Sequence, residues 1–584
     1  MQFSRSLFLS LLILAGVGIG CRRSSDNAAG GSTKNHVIWS TISDIQRLNP
    51  YISTDAHASY IQGEIWEPLN FSDPKTLEPY PGLASLPVIS EDHSTFTYTM
   101  DPRAKWSDGK PVTSADVIFS FKTAMNPRVI NSQQLRGYLM DIDSVYNPGG
   151  DVSKVEFRLK KTYFNTDRVL GQGYVVILPK HVLDPKSLSD KMTWAELRNT
   201  ESKDKVIQEF AEWFESPELS REPKYQIGSG AYVFTNWITN DRLILKRDPN
   251  YWAKDIRWRE SYPEELIYKT IGDQNAAFTA LKSNDVDLVD GLTPEQYEQL
   301  DPSKSKGLRK DTVYYNNYSF IAWNPLRPIF RDVQTRRALT ALVDRNTIIT
   351  HVLKNQAKPV DGPVPFTQPN VNTNIKQIGF NVDTAKRLLT EAGWSDTDGD
   401  GILDRMIDGK KMPFKFTFLT NAGNDTRKQI LLVIAEQLRK VGIEAGVSAI
   451  EWSVFLENTK GKSYDAAYSA WAGNPTEDEL YQLWHSTQAA NKGSNFYSYK
   501  NPEADKLMEA IRTEFDKTKR YEMHYKLQEM ILNDQPVTFL FSSPARIGMV
   551  DRFDNVEFFR GRPGFDPRYF IVRGAGIQKQ TPNS

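Results

Sequence analysis

The side chains that could carry chemistry are few and scattered. The seven histidines stand at 36, 57, 93, 181, 351, 485 and 524, with no HxxxH or HExxH among them. A catalytic zinc needs several converging protein ligands, often two histidines one helical turn apart, and this chain has no such set. A nickel receptor would need a few convergent ligands or a chelator pocket. His57 and His485 are the ones to weigh, but each stands alone, and a lone histidine is read as surface or core. The single cysteine, Cys21, cannot make an intramolecular disulfide or a CxxC site. No GxSxG occurs, and no thiol remains beyond position 21 to act as a nucleophile. Gly461-Lys462-Ser463 ends like a P-loop, yet Leu456 stands where the first glycine belongs. Residues 396–404, DTDGDGILD, imitate a calcium loop. Asp396, Asp398 and Asp400 fall at its positions 1, 3 and 5, Gly401 at 6 and Asp404 at 9, but Ile407 stands at 12, where a bidentate glutamate belongs. The reading is a solvated acidic turn, with calcium as the weaker alternative. Carboxylate pairs are too common among 72 acidic residues to mark a glycosidase. Nothing positive supports an enzyme, and no metal or cofactor is expected.

What remains is a chain suited to binding. Its 584 residues are about three to four domains' worth of sequence. Lys+Arg and Asp+Glu both total 72, so the net charge is zero, which disfavours a nucleic-acid partner. Aromatics at 11% exclude an acidic disordered chain. Thirteen tryptophans and 25 tyrosines would also furnish broad surfaces for apolar or sugar-like ligands, although most rings must be core.

Cys21 follows an apolar run, LFLSLLILAGVGIG at 7–20, preceded by Arg5. A run of 14 residues is short for a bilayer span and reads as a secretory signal over 1–20. Gly18 and Gly20 lie just before the cysteine, and the arrangement looks like a bacterial lipobox, with Gly18 where a branched aliphatic residue is usual. The expectation is cleavage before Cys21, a lipid on that residue, and anchoring at the periplasmic or cell-surface face of a membrane. Residues 21–34, small and polar, suit a flexible tether.

Strand and helix signals mix along the rest. HVIWSTI (36–42), STFTYTM (94–100), LILKR (243–247) and DLVDGL (287–292) read as strands. Asp332 is expected to cap a helix through 333–354, and Asp383 one through 384–392 that ends at Gly393. Residues 425–441 carry an apolar stripe and stop at Gly442; 503–513 and 517–532 give two more helices. The charge-rich segment 199–222 reads as an exposed helical excursion. No repeat of 20–50 residues is present. The pattern is α/β.

Residues 97–121, TYTMDPRAKWSDGKPVTSADVIFSF, have a plain structural reading. Ser107-Asp108-Gly109 makes a turn, Trp106 buries on it, Thr113 or Ser114 caps the next helix, and Asp116 is acidic in its first turn. They also resemble the signature region of the family 5 extracellular solute-binding proteins, the oligopeptide, dipeptide and nickel receptors of ABC importers. ILPKHVL (177–183), GSGAYVF (228–234), RDPNYW (247–252), AAFTALKSNDVDLV (276–289) and WNPLRPIFRDVQTRRALTALVDR (323–345) are similar to further family segments in family order. So are LLTEAGWSDTDGDGILD (388–404), YDAAYSAW (464–471), WHS (484–486), NFYSYKNPEADKLM (495–508) and DQPVTFLF (534–541). The resemblance spans roughly 36–560. It implies a two-lobed periplasmic-binding-protein-like fold of the large-cleft type, crossed twice by the chain. The first lobe would hold 35–316, with an extra subdomain at 67–224. The second would hold 317–537, and 538–584 would return to the first. A monomer that captures a solute, closes and delivers it to membrane permease subunits is implied.

The same resemblance nominates ligand residues. Two tryptophans 19 positions apart line the pocket of oligopeptide receptors, and Trp452 and Trp471 have that separation. An aspartate three residues past the second one pairs with the peptide ammonium; here Asn474 stands there, after Gly473. Asp478 is a substitute carboxylate or the cap of a helix near Glu479. Two arginine positions of the pattern fall on Thr459 and Tyr468. Tyr138, Trp323 and Asn324 are weaker candidates, and either tryptophan of the pair could be core. Peptides are the expected ligand. An oligosaccharide, stacked on the rings, is the alternative, and a surface hydrolase on this scaffold is the rival from another class.

Overall fold

The computed structural model describes residues 34–576 apart from 54, 131–132, 257, 306, 474–475, 478–479 and 491–492. Residues 1–33, on which the expected signal segment, Cys21 and most of the expected tether fall, and Asn474 and Asp478 therefore lie outside the described residues.

Three sheets carry the fold. The first is seven-stranded, in the order Leu308–Val313, Ala545–Val550, Leu288–Asp290, His36–Thr41, Glu265–Thr270, Arg242–Arg247, Tyr232–Ile238. His36–Thr41 lies at its centre and pairs in parallel with both neighbours. The second sheet is five-stranded, in the order Glu444–Ile450, Lys415–Asn421, Ala466–Ala472, Asn317–Trp323, Val537–Phe539. Asn317–Trp323 is buried at every position, as befits a strand covered on both faces. Its alternation sends Ile321 and Trp323 into one apolar core and Tyr318, Phe320 and Ala322 into the other. The third sheet, four-stranded and antiparallel, lies in the segment 88–159 and is covered by the helix Ser114–Met125.

The chain passes from the first sheet to the second between Val313 and Asn317, and returns between Phe539 and Ala545. The return thus falls later than residue 538, because Phe539 still pairs with Phe320 in the second sheet.

The segments 97–121, 177–183 and 228–234 converge where the subdomain joins the first lobe. The Asp116 carboxylate accepts from the Thr113 N–H at 2.9 Å and the Lys180 N–H at 2.9 Å, and Ser120 Oγ accepts from the Leu178 N–H at 2.8 Å. The Ser107 N–H donates to the Gly228 carbonyl at 2.8 Å. A Cβ at Gly228 would stand 2.0 Å from the Ile65 carbonyl oxygen, and one at Gly230 2.3 Å from that of Glu64, so only glycine fits either place.

Several helix expectations shift. Asp332 does cap, accepting from the Thr335 N–H at 2.9 Å, but its helix ends at Ala341. Asp344 takes the Thr347 N–H at 3.0 Å and starts a short turn that runs into Ile348–Val352. An aspartate inside a helical run competes for backbone donors and so opens a new cap. The helix Val382–Glu391 is capped by Asn381, with Asp383 in its first turn. Within 199–222, Lys205–Phe214 is amphipathic and buries Ile207, Phe210, Ala211 and Phe214 rather than standing exposed.

Candidate functional site

Between the subdomain and the second lobe lies a cavity of about 330 Å³, at the small end of the range for ligand clefts. Tyr138, Arg168 and Tyr174 line it from the subdomain, Trp471, Gly473 and Glu477 from the second lobe, and Arg562 from the returning segment.

Trp471 is placed by its strand. Ala466–Ala472 pairs with Asn317–Trp323, setting Trp471 opposite Tyr318 at the end nearest the cavity. The ladder continues one step, with the Gly473 N–H donating to the Asn316 carbonyl at 2.9 Å. The half-buried indole lies nearly parallel to Phe320, centroids 6.3 Å apart, and 5.9 Å from Phe496. Its Nε1–H is buried and has no acceptor among the described residues. An indole nitrogen can only donate, and leaving a buried donor unmet costs about 1–3 kcal/mol. The buried Thr476 hydroxyl, also on the wall, likewise has no partner among the described residues.

The walls touch across the cleft. Tyr138 donates its hydroxyl hydrogen to Gln482 Oε1. Arg168 Nη1 donates to the Glu477 carbonyl at 3.1 Å, and the Phe164 N–H donates to the Arg512 carbonyl at 3.0 Å. Arg520 stacks on the Phe164 ring at 4.1 Å. His93 stacks on Phe515 at 4.8 Å. These contacts define a closed form in which the subdomain supplies the opposing wall.

Glu477 anchors the second-lobe side. Arg520 grips both its oxygens, at 2.6 and 3.0 Å, and His524 Nε2 stands 3.5 Å from Oε1. Burial alone would push this carboxyl up, but the nearby His524 and the hydrogen bonds and charge of Arg520 outweigh it and hold Glu477 below the usual carboxylate range.

Of the residues nominated from sequence, Tyr138, Trp471 and Gly473 come together on the cavity wall. Three others do not. Trp452 is 49% exposed at the start of the helix Trp452–Lys460, stacked on Phe455. It follows the edge strand of the five-stranded sheet, two strands from Trp471, so the spacing of 19 brings no shared wall. Trp323 lies at the other end of its strand, fully buried, and donates Nε1–H to Thr538 Oγ1 at 3.0 Å. Asn324, also fully buried, donates to the carbonyls of Lys462 and Tyr464 at 3.1 and 2.7 Å. Both are core. Among the described residues, His485 and His57 join no cluster of metal-ligating side chains.

The acidic loop brings Asp396, Asp398 and Asp404 within reach of one another, while Asp400 turns to the Ile402 N–H. The Lys411 ammonium stands 2.6 Å from Asp398 and 3.1 Å from Asp404, occupying the place of a cation. The strand Asp404–Ile407 begins at once, and among the described residues no further acid joins the three.

Arg168, Glu477, Gln482 and Arg562 were not singled out from sequence. Glu477 and Gln482 lie five positions apart yet carry no motif, and Arg168 and Arg562 are distant from them in the chain; only the fold brings the four to one wall.

The description "Bacterial extracellular solute-binding proteins, family 5 Middle" matches residues 78–493. The oligopeptide-binding protein AppA of Bacillus subtilis is 28% identical over 569 residues, covering 96% of each chain. The periplasmic oligopeptide-binding protein OppA of Salmonella typhimurium is 24% identical over 91% of this chain and 92% of its own. Among solved structures, AppA in complex with a nonapeptide superposes with a TM-score of 0.76 at 27% identity, over 92% of this chain and 98% of that one. An oligopeptide-binding protein of Thermus thermophilus complexed with a pentapeptide shares the fold, with a TM-score of 0.75 at 21% identity over 94% and 98%.

Proposed function

This chain belongs to the bacterial extracellular solute-binding proteins of family 5, a family of binders rather than enzymes, and on that footing we propose that it captures peptides for an ABC importer. The likeness to AppA over nearly the whole chain supports that reading. The observation that carries it in this molecule is the buried N–H of Trp471, which has no acceptor among the described residues, on the wall of a cavity closed by two bodies. A peptide backbone offers the carbonyl oxygen this donor lacks. Capture then stabilises the closed form by the difference between the ligand's affinities for closed and open states, and a membrane permease reads the closed shape. The hinge of this motion is the pair of crossings at 314–316 and 540–544. Cys21 carries the lipid that keeps the protein at the membrane, and the protein acts as a monomer.

The test is thermal unfolding of the stripped protein with peptide pools, and with oligosaccharides as the contrast. A ligand at about 100 times its Kd adds roughly 2.7 kcal/mol of stability, so peptides raise Tm and sugars do not. A rise with sugars alone overturns the peptide reading. Replacing Cys21 by serine moves the protein from the detergent phase to the aqueous phase; unchanged partition overturns the anchor.

A further inference from the structure

The charges on the cavity wall point to a class of peptide. Among the described lining residues, only Arg168, Glu477 and Arg562 carry a formal charge. Glu477 is already met, both oxygens by Arg520 and one by the nearby His524. Arg168 gives one N–H to a backbone carbonyl, which uses a donor but cancels no charge. Arg562 stands at the exposed mouth with its guanidinium 5.8 Å from the Tyr60 ring centroid, which again cancels no charge. Among the described residues, no carboxylate is ion-paired with either guanidinium. The two come from different parts of the chain. Arg168 lies on the subdomain helix Thr166–Gly171, and Arg562 on the segment that returns to the first lobe. Both line this cavity, and its described lining residues carry an excess of positive charge. A guanidinium offers a planar fork of donors that matches a carboxylate, and a cleft that excludes water strengthens the attraction.

We propose that Arg168 and Arg562 together select peptides bearing a carboxylate at this point, an acidic side chain or a free C-terminus, and disfavour basic ones. The inference rests on the peptide-capture reading above. Both arginines lie on the first-lobe side of the cavity, and closure brings the second lobe against them through the contact of Arg168 with the Glu477 carbonyl.

The stripped chain is titrated calorimetrically with short alanine peptides as free acids, as C-terminal amides, and with one internal alanine replaced by glutamate or by lysine. The free acids and glutamate peptides are expected to bind on the order of tenfold or more tighter than the amides and lysine peptides. Added salt narrows that gap. Arg562→Gln and Arg168→Gln each narrow it, and the double variant closes it. Equal affinity of acid and amide on the native chain, or a gap that survives the double variant, overturns the proposal and leaves peptide capture standing. Failure of every peptide to bind overturns both. Should the double variant not fold, the acid–amide comparison and its salt dependence on the native chain decide alone.

Discussion

The guanidinium of Arg512, on the second lobe, lies 3.8 Å from the ring centroid of Tyr163 in the subdomain. On its other side stands Tyr481 of its own lobe, at 4.4 Å. The cation is held between two rings, neither of them on the cavity wall, and opening the cleft must draw it out. Such contacts are worth about 0.5–2 kcal/mol each. Arg512→Ala is therefore expected to raise the peptide dissociation rate by about 2- to 30-fold, with the association rate and Tm little changed. Stopped-flow release of a fluorescent peptide reads this, and an unchanged off-rate would dismiss the latch.

Trp471 allows its ring to be separated from its N–H. Trp471→Phe keeps an aromatic face toward Phe320 but removes the buried donor. Binding should weaken about tenfold while the empty protein is no less stable, since a donor without an acceptor has been removed. Trp471→Ala should abolish binding and leave the fold largely intact. Calorimetry and thermal unfolding measured side by side distinguish these outcomes; a fall in stability with normal affinity would make Trp471 a core residue.

Two other tryptophans should part company. Trp323 is fully buried and hydrogen-bonded to Thr538, and Trp323→Ala should cost about 3–5 kcal/mol of stability. Trp452 is half exposed, and Trp452→Ala should stay within about 0.5 kcal/mol of the parent and bind peptide normally. Urea midpoints of the pair check both, and a binding defect at Trp452 would return it to the ligand site.

Glu64 makes stability depend on pH. It is buried beside Arg568, whose charge is already taken by Asp566 at 3.0 Å. Burial pushes its carboxyl up to about 8, although Arg568 opposes the shift. The folded chain then holds a proton that the unfolded chain has already released. The contribution is complete below the ordinary carboxylate range and is lost as pH rises through about 8. Tm should fall between weakly acidic and weakly alkaline pH, and Glu64→Gln should flatten that fall. An unaltered pH profile in the variant would place the titration elsewhere.

The sequence made the local devices legible and the convergence only partly so. Thr113 with Asp116, Asp332 and Gly442 were readable because capping and left-handed turns depend on a few neighbouring residues. Asp344 and Asn381 were missed because an aspartate's choice between continuing a helix and restarting one depends on what packs around it. Trp471, Gly473 and Tyr138 reached the candidate site through a resemblance. Trp452 failed the same inference because a spacing along the chain does not say which strand intervenes. Arg168 and Arg562, nearly 400 positions apart, could be joined only by the fold. The segments around Asp116 and Gly228 announced the family yet serve as structural joints, which is why their chemistry alone pointed nowhere.

The two crossings have a mechanical meaning. Leu308–Val313 lies beside Ala545–Val550 in one sheet, and Asn317–Trp323 lies beside Val537–Phe539 in the other. The connection between the lobes is thus a two-ply ribbon, clamped at both ends by hydrogen-bonded strands. A single thread would let the lobes swivel freely, whereas a ribbon flexes across its flat side and resists torsion. The empty protein therefore opens along one arc, and Arg512 meets Tyr163 again on every return without a search over orientations. Capture then forfeits little rotational entropy, and the face shown to the transporter is the same after each cycle.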